Sequence, residues 1–382
     1  VTTAYIAGVG NTRFGRHEGL GALDLMAQAA DLAIAEAGVS PGAIDGVLCG
    51  YATTLPHLML ASLVSERLGL RPHYAHGMQM GGATGAGMVM LARELVRAGR
   101  CRTVLVVAGE NRASGQSRDD AIQTLAQVGD ADVEVPNGGS VPAYYALLAS
   151  RYMHDHDLDE ADLAEFAVLM RRHAALHPDA QLRAPITVAD VLASKPIASP
   201  LKLLDCCPIS DGAVALVVSD RPGAAAGRPV VLRGAGQAHH HQHLSAIADM
   251  GDLGAAASAG RALAEAGTRL GELDYLAIYD SFTITLAILL EEIGLCARGD
   301  SAQCVREGIF GIDGELPLNT HGGLLSFGHS GVAGGMAHIA ETARQLAGRA
   351  GTRQAGERRH ALLHADGGVL SAHVSLVLES LS

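Results

Sequence analysis

The chain has 382 residues, a formal net charge of −12, 48% hydrophobic residues and 18% charged residues. That length suits two to three domains of about 150 residues each, and that balance is the composition of a soluble globular protein with a large core. The acidic charge and the lack of a Lys/Arg tract argue against nucleic-acid binding, which needs cations clustered on phosphates; no apolar run of membrane-spanning length and no basic-then-apolar leader pattern is read, so the expected location is cytoplasmic.

In chain order, Tyr5 to Val9 reads as a strand and Ala22 to Ala37 as a helix stopped by Gly38. Val47 to Gly50 is a short buried strand. The glycine run Gly81 to Gly87 then opens an Ala83 to Ala98 helix that is apolar almost all round, which predicts a central, buried position. Val104 to Ala108 is the next strand. A more polar stretch from about 111 to 199 follows, with charges at Arg118, Asp119 and Asp120 and helical patterns over Val141 to Met153 and Asp159 to His177. It reads as a lid inserted between conserved elements. His154 and His156 read as solvated helix-start residues. A turn-rich linker, Asp220 to Pro229, separates this first half (1–225) from a second (228–382).

The second half repeats the first. Ala4 to Gly10 recurs as Val230 to Gly236, Leu32 to Gly38 as Arg261 to Gly267, and Ile44 to Cys49 as Leu273 to Ile278. The strand Thr103 to Gly109 has a counterpart in His360 to Gly367, and both halves close on a similar run, Ala213 to Val218 and His373 to Leu378. A repeat this long is a duplicated domain rather than a solenoid. Apolar strands alternating with helices predict an α/β fold with mixed or parallel sheets covered on both faces. The six cysteines form no C-x-x-C pair, so they read as small buried residues rather than a zinc site.

Each half carries a glycine-dense loop ahead of a helix: Gly81 to Gly87, and Asn319 to Gly331. Only the second contains histidine at a candidate catalytic position, His329. With Asp205 to Gly212, Tyr279 to Thr285 and His364 to Gly368, these loops make the chain resemble the thiolase superfamily. The branch it resembles most contains the sterol-carrier-protein-2-type thiolases and lipid-transfer proteins. The resemblance implies two five-stranded mixed sheets sandwiching a pair of buried helices, with a helical lid. It further implies a homodimer, a coenzyme A thioester as substrate, no separate cofactor, and a partner of the DUF35 type, a small zinc-ribbon and OB-fold protein.

The slots of that family are filled unusually. The acylated cysteine is matched by Gly82, which has no side chain to acylate, and Thr84 lies two residues away. The Gly-His-Pro histidine is matched by His329, followed here by Ser330. The second cysteine is matched by His364, with Asp366 two residues on, and the His or Asn that helps hold an oxyanion is matched by Tyr279. His329 is therefore expected in an oxyanion or acid/base role, Tyr279 as donor or base, and His364 and Asp366 as proton carriers at a strand end. Gly82, Thr84, Ser326 and Gly368 are expected to shape the oxyanion pocket, Asp280 to cap Ser281 to Thr285, and His243 to face substrate from the His239 to His243 tract, which is not read as a metal site.

Without an acyl-enzyme, the expected chemistry is retro-aldol cleavage of a β-hydroxyacyl-CoA through an enolate. Direct attack by free CoA, and a non-catalytic acyl-CoA or lipid-binding role, are the two alternatives.

Overall fold

The computed structural model describes residues 2–382. Nine strands carry the fold: β1 (Tyr5–Asn11), β2 (Gly46–Gly50), β3 (Tyr74–Met78), β4 (Thr103–Asn111), β5 (Asp211–Ser219), β6 (Val230–Ala238), β7 (Tyr275–Ile278), β8 (His360–Gly367) and β9 (Ala372–Ser380). They follow the order β3-β2-β4-β5-β1-β6-β9-β8-β7, so the first half supplies five neighbouring strands and the second half four. The halves meet where β1 pairs antiparallel with β6 at Tyr5–Val231 and Ile6–Val230. The two sheets are thus continuous, a refinement of the expectation of two separate five-stranded sheets. The fifth strand of the second half is reduced to one parallel bridge, Leu276–Leu318. Pro317 has no N–H to extend that pairing, and Asn319 turns the chain away with φ of 48°.

Seven longer helices cover the sheet: α1 (Ala22–Ala37), α2 (Thr84–Arg97), α3 (Val141–His156), α4 (Glu160–Ala174), α5 (Ala255–Ala266), α6 (Thr283–Glu292) and α7 (Val332–Ala347). The α2 and α7 helices share one core with residues of both halves, including Val104, Val106 and Leu216 from the first and Leu363, Val374 and Leu376 from the second. They are the central pair, as the apolar pattern of Ala83 to Ala98 predicts. Alternate residues of the same strands face outward. Leu105, Val107 and Val217 pack with α1, and Leu362 and Val377 pack with α5, α6 and the lid helices α3 and α4.

Local chemistry sets the ends of these helices. Gly38 closes α1 in the left-handed region, as its sequence predicts. Asp159 starts α4 by accepting from Ala161 N at 2.7 Å. His154 and His156 fall in the last turn of α3 rather than at a helix start, where cations and donors suit the exposed carbonyls. Of the cysteines, Cys49 and Cys101 are buried as expected, whereas Cys206, Cys207, Cys296 and Cys304 are partly exposed. Among the described residues no helix is long and apolar enough to cross a membrane.

Candidate active site

Four chain segments converge at the ends of the central helices. The first is the turn before α2, where Gly81 has φ of 56° and Gly82 follows. The second is the stretch Tyr279 to Phe282 after β7. The third is the loop from Asn319 to Gly331 ahead of α7. The fourth is the 205–212 segment leading into β5. Asn319 fixes the second against the third: its side chain accepts from Ile278 N at 2.9 Å and donates to Ile278 O at 2.7 Å. His329 N donates to Pro208 O at 3.0 Å and Cys207 N to Ser281 O at 3.0 Å, which adds the fourth. These are obligatory backbone groups satisfied across segments, so the assembly is rigid by construction.

Tyr279 and His329 meet at its centre, with the phenol oxygen 3.1 Å from His329 Nε2. The space that phenol fills is the space a nucleophile would need. A Cβ at Gly82 would lie 2.2 Å from Tyr279 Oη and 2.4 Å from the Asp366 carbonyl oxygen. Glycine at 82 is therefore required by a side chain from the other half of the molecule. Burial lowers the His329 pKa to about 3, with Arg112 adding to the fall, so the imidazole is neutral at physiological pH. Burial also holds the Tyr279 phenol well above its ordinary value, with Cys207 and Asp366 adding to it. A buried, neutral phenol is suited to donate a hydrogen bond rather than to act as a base at pH 7.

Asp366 closes the other side of Gly82. Its Oδ2 accepts from Tyr145 on α3 at 3.1 Å, while its Oδ1 is buried with no partner among the described residues. Burial raises this carboxyl to about 8. A carboxyl that titrates near the working pH can both take and return a proton. Tyr145 also approaches Gly368 O at 3.4 Å and stacks on Phe282 with ring centroids 4.4 Å apart, so the lid helix roofs this corner.

The remaining expected residues lie elsewhere or act otherwise. His364 is not brought to the Tyr279–His329 pair. Its Nδ1 meets Ser375 Oγ at 2.8 Å and its Nε2 meets His373 Nδ1 at 3.1 Å, and His373 Nε2 continues to Leu370 O at 2.9 Å. Both ring nitrogens are thus spent on neighbouring strand and loop groups. Thr84 donates to Gly81 O at 2.6 Å and accepts from Met80 N at 2.8 Å, which uses its hydroxyl to shape the glycine turn. Asp280 does not cap Ser281 to Thr285. Its Oδ1 accepts from Leu324 N at 2.7 Å and contacts His338 Nε2 at 3.1 Å, so it anchors the π-type turn Gly323–Phe327 below His329. Ser326 in that turn accepts from Arg171 of α4 at 3.0 Å and holds the lid. Gly368, with φ of 73°, lets its loop lie against Gly81. His243 Nδ1 lies 3.6 Å from the Asp130 carboxylate at the surface, and His240 Nδ1 lies 3.1 Å from Asp252, so the tract's rings diverge.

Three residues at the site escape the sequence reading: Tyr145, Cys207 and Arg112. Nothing in local spacing marks Tyr145. Cys207 stands inside the Asp205 to Gly212 motif, and that placement is a usable signal. Arg112 follows β4 directly, and its guanidinium lies against Glu110 with Nε to Oε2 at 3.1 Å.

Comparison with known proteins fits this geometry. Residues 4–221 match the family described as thiolase, N-terminal domain, and residues 236–380 match the thiolase C-terminal domain-like family. The chain belongs to the thiolase family. It is 32% identical to the 17-hydroxy-3-oxo-4-pregnene-20-carboxyl-CoA lyase of Mycobacterium tuberculosis, covering 96% of this chain and 97% of that protein. It is 29% identical to an acetyl-CoA acetyltransferase of Methanothermobacter thermautotrophicus, covering 97% and 98%. Among solved structures, the Ltp2-ChsH2(DUF35) aldolase superposes with a TM-score of 0.84 at 31% identity, covering 99% of this thiolase-family chain and 98% of that one.

Proposed function

We propose that this thiolase-family protein is a carbon–carbon lyase that cleaves a β-hydroxyacyl-CoA by a retro-aldol reaction. The observation that carries the reading is the Tyr279 phenol occupying the nucleophile's space at Gly82 while facing His329. A base takes the β-hydroxyl proton and the C–O bond becomes a carbonyl. The bond between the α and β carbons breaks, and its electron pair passes to the α carbon and the thioester oxygen as an enolate. Protonation of the α carbon then gives a shorter acyl-CoA beside a ketone or aldehyde. Asp366 is the base of this scheme, because its buried carboxyl titrates near neutrality. Tyr279 donates toward the thioester oxygen while its own oxygen accepts from His329 Nε2, 3.1 Å away, and that hydrogen bond gains strength as charge develops. Coenzyme A enters only as part of the substrate, and no further cofactor is needed to balance the step.

The relatives named as a pregnene-carboxyl-CoA lyase and as a DUF35-paired aldolase support a bulky, steroid-like acyl group and a DUF35-type partner. A homodimer belongs to the same reading. The exposed edge strand β3, paired on one side only by β2, leaves backbone groups available for it. The acetyltransferase relative favours a second reading, direct attack by free CoA. One experiment separates these readings. The protein, alone and with a DUF35-type partner, is incubated with a panel of 3-hydroxyacyl-CoAs with and without free CoA. Equimolar carbonyl product and shorter acyl-CoA, formed without added CoA, is the expected result. Strict dependence on free CoA would replace the lyase reading with thiolysis, and tight binding without turnover would replace it with a passive acyl-CoA-binding role.

A further inference from the structure

Arg112 sits in an ion pair that is incomplete on both sides. Its Nε donates to Glu110 Oε2 at 3.1 Å and to Thr53 Oγ1 at 3.2 Å. Among the described residues its two terminal amines, Nη1 and Nη2, have no acceptor in the protein, although only 9% of the side chain is exposed. Glu110 Oε1 is fully buried without a partner. An arginine placed only to neutralise a buried carboxylate presents two parallel N–H groups to both oxygens. Here the fork is turned away from its own counter-ion and toward space that solvent or a ligand can reach, because neither amine is among the fully buried unpaired atoms.

The surroundings hold that orientation. Asp211 Oδ1 accepts from Ala113 N at 2.7 Å and Ser114 N at 3.1 Å, which pins the backbone just after Arg112. Thr53 N donates to Glu110 Oε2 at 2.9 Å. Ser330 Oγ donates to the Glu110 carbonyl at 2.9 Å, and a Cβ on Gly331 would come within 2.1 Å of Glu110 Oε1. The arginine is therefore indexed to the loop that carries His329. Its positive charge adds to the fall of the His329 pKa and opposes the burial that holds Tyr279 and Cys207 high.

We propose that Arg112 is a catalytic residue whose two free amines hold the thioester oxygen as it becomes an enolate oxygen. The inference rests on the retro-aldol reading for the overall reaction, though not for the enolate itself. Arg112 keeps its protons throughout. Electrons from the broken bond move onto an oxygen that already faces a fixed cation, so charge develops where it is most stabilised. The neutral Tyr279–His329 pair adds a directed hydrogen bond but no charge.

The test reads the enolate directly. Acetoacetyl-CoA has no β-hydroxyl to cleave and, without free CoA, cannot be thiolysed, but its enolate absorbs in the near ultraviolet. Wild-type protein is expected to shift its enolisation to lower pH by about one unit or more, a tenfold effect. Arg112→Met is expected to abolish the shift and Arg112→Lys to keep part of it. The double variant Glu110→Gln/Arg112→Met removes the stranded counter-ion and serves if the single variant fails to fold. On a cleavable 3-hydroxyacyl-CoA, kcat is expected to fall about 10²–10³-fold in Arg112→Met with KM nearly constant. An enolate band equal in wild type and Arg112→Met, or absent from the wild type, overturns the assignment. Failure of the wild type to cleave any 3-hydroxyacyl-CoA, with the enolate band intact, overturns the lyase reading alone.

Discussion

The two glycine loops look alike in sequence and are built for opposite reasons. Before α2, Gly82 is small because the other half of the molecule reaches in: the Tyr279 phenol and the Asp366 carbonyl lie where its side chain would be. Before α7, the glycines make room for polar side chains that support the loop from outside, with Asp280 against Gly323 and Glu110 against Gly331. One loop is emptied to admit a functional group, and the other is packed to present one, His329. Under the lyase reading proposed above, the duplicated fold has its chemistry on the second loop rather than the first. The nucleophile's position is not simply vacant but filled by the Tyr279 phenol, and restoring the lost residue type would not restore the lost space.

The strongest way to break this comparison is to remove what the second loop presents. His329→Ala and Tyr279→Phe are each expected to lower kcat/KM on a cleavable 3-hydroxyacyl-CoA by about 10²–10³-fold, the range of a lost oxyanion donor or acid/base group. A loss of less than tenfold in both would move the reacting centre away from their 3.1 Å contact. Asp366→Asn is expected to cost about 10²-fold. It is also expected to remove the rise of the wild-type rate toward an apparent pKa near 8. Stability gives a second readout with a definite sign. Burial raises this carboxyl from 3.8 to about 8, so the folded state binds the proton more tightly than the unfolded chain. Its contribution is fully present below pH 4 and is lost as pH rises to 8. Asp366→Asn should therefore raise the melting temperature relative to wild type more at pH 8.5 than at pH 4. The opposite trend would mean that the carboxylate, not the acid, is the stabilised form.

A sharper test concerns the first loop. Gly82→Cys puts back the residue type that the family uses as nucleophile, but its Cβ must displace a phenol and a backbone carbonyl. The expected cost is about 1–3 kcal/mol of stability, read from denaturant midpoints, with no acylated species by intact-mass spectrometry after mixing with acyl-CoA. Combining it with Tyr279→Ala should recover only part of that loss, because the Asp366 carbonyl, 2.4 Å from the same Cβ, stays in place. Covalent acylation of Gly82→Cys alone would show that the space is open after all.

Much of this was legible in the sequence, and the failures share a cause. The duplication, the central helices and the lid follow from periodicity and internal repetition, both of which are local signals. The edge strand Tyr74–Met78 leaves no signal in sequence because it is mostly exposed and its Tyr-Ala-His-Gly-Met run lacks alternation. His364 and Asp366 share one face of β8, but two residues move the chain about 6–7 Å along a strand. Asp366 thereby reaches the glycine turn, while His364 stays among Ser375 and His373. No local rule distinguishes the two. In sequence Asp280 reads as a cap because a cap is the nearest use for an aspartate, yet its partner, Leu324 N, lies 44 residues away. Arg112 gave no signal at all: a lone arginine after a strand is ordinary until its empty amines are seen.

The smallest expected effect tests the edge of the site rather than its centre. The His239 to His243 tract is the most conspicuous local pattern in the chain, and the structure gives its members separate duties. His239 Nε2 meets Gln237, His240 lies against Asp252, His241 reaches Val369 O at 3.3 Å, and His243 faces Asp130. The stronger tie between this loop and the lid segment is Glu134, which accepts from Ser245 N at 2.7 Å. A His243–Asp130 contact at 3.6 Å, about a third exposed on both sides, adds little to that tie. His243→Ala should therefore leave kcat/KM within about twofold of wild type, as expected for a solvent-screened surface pair. Glu134→Gln, which weakens the charge-assisted bond to Ser245, should do more by loosening the lid. A large loss in His243→Ala, or loss of activity on dialysis against a chelator, would bring the tract into the chemistry. The site would then extend beyond the two glycine loops that now define it.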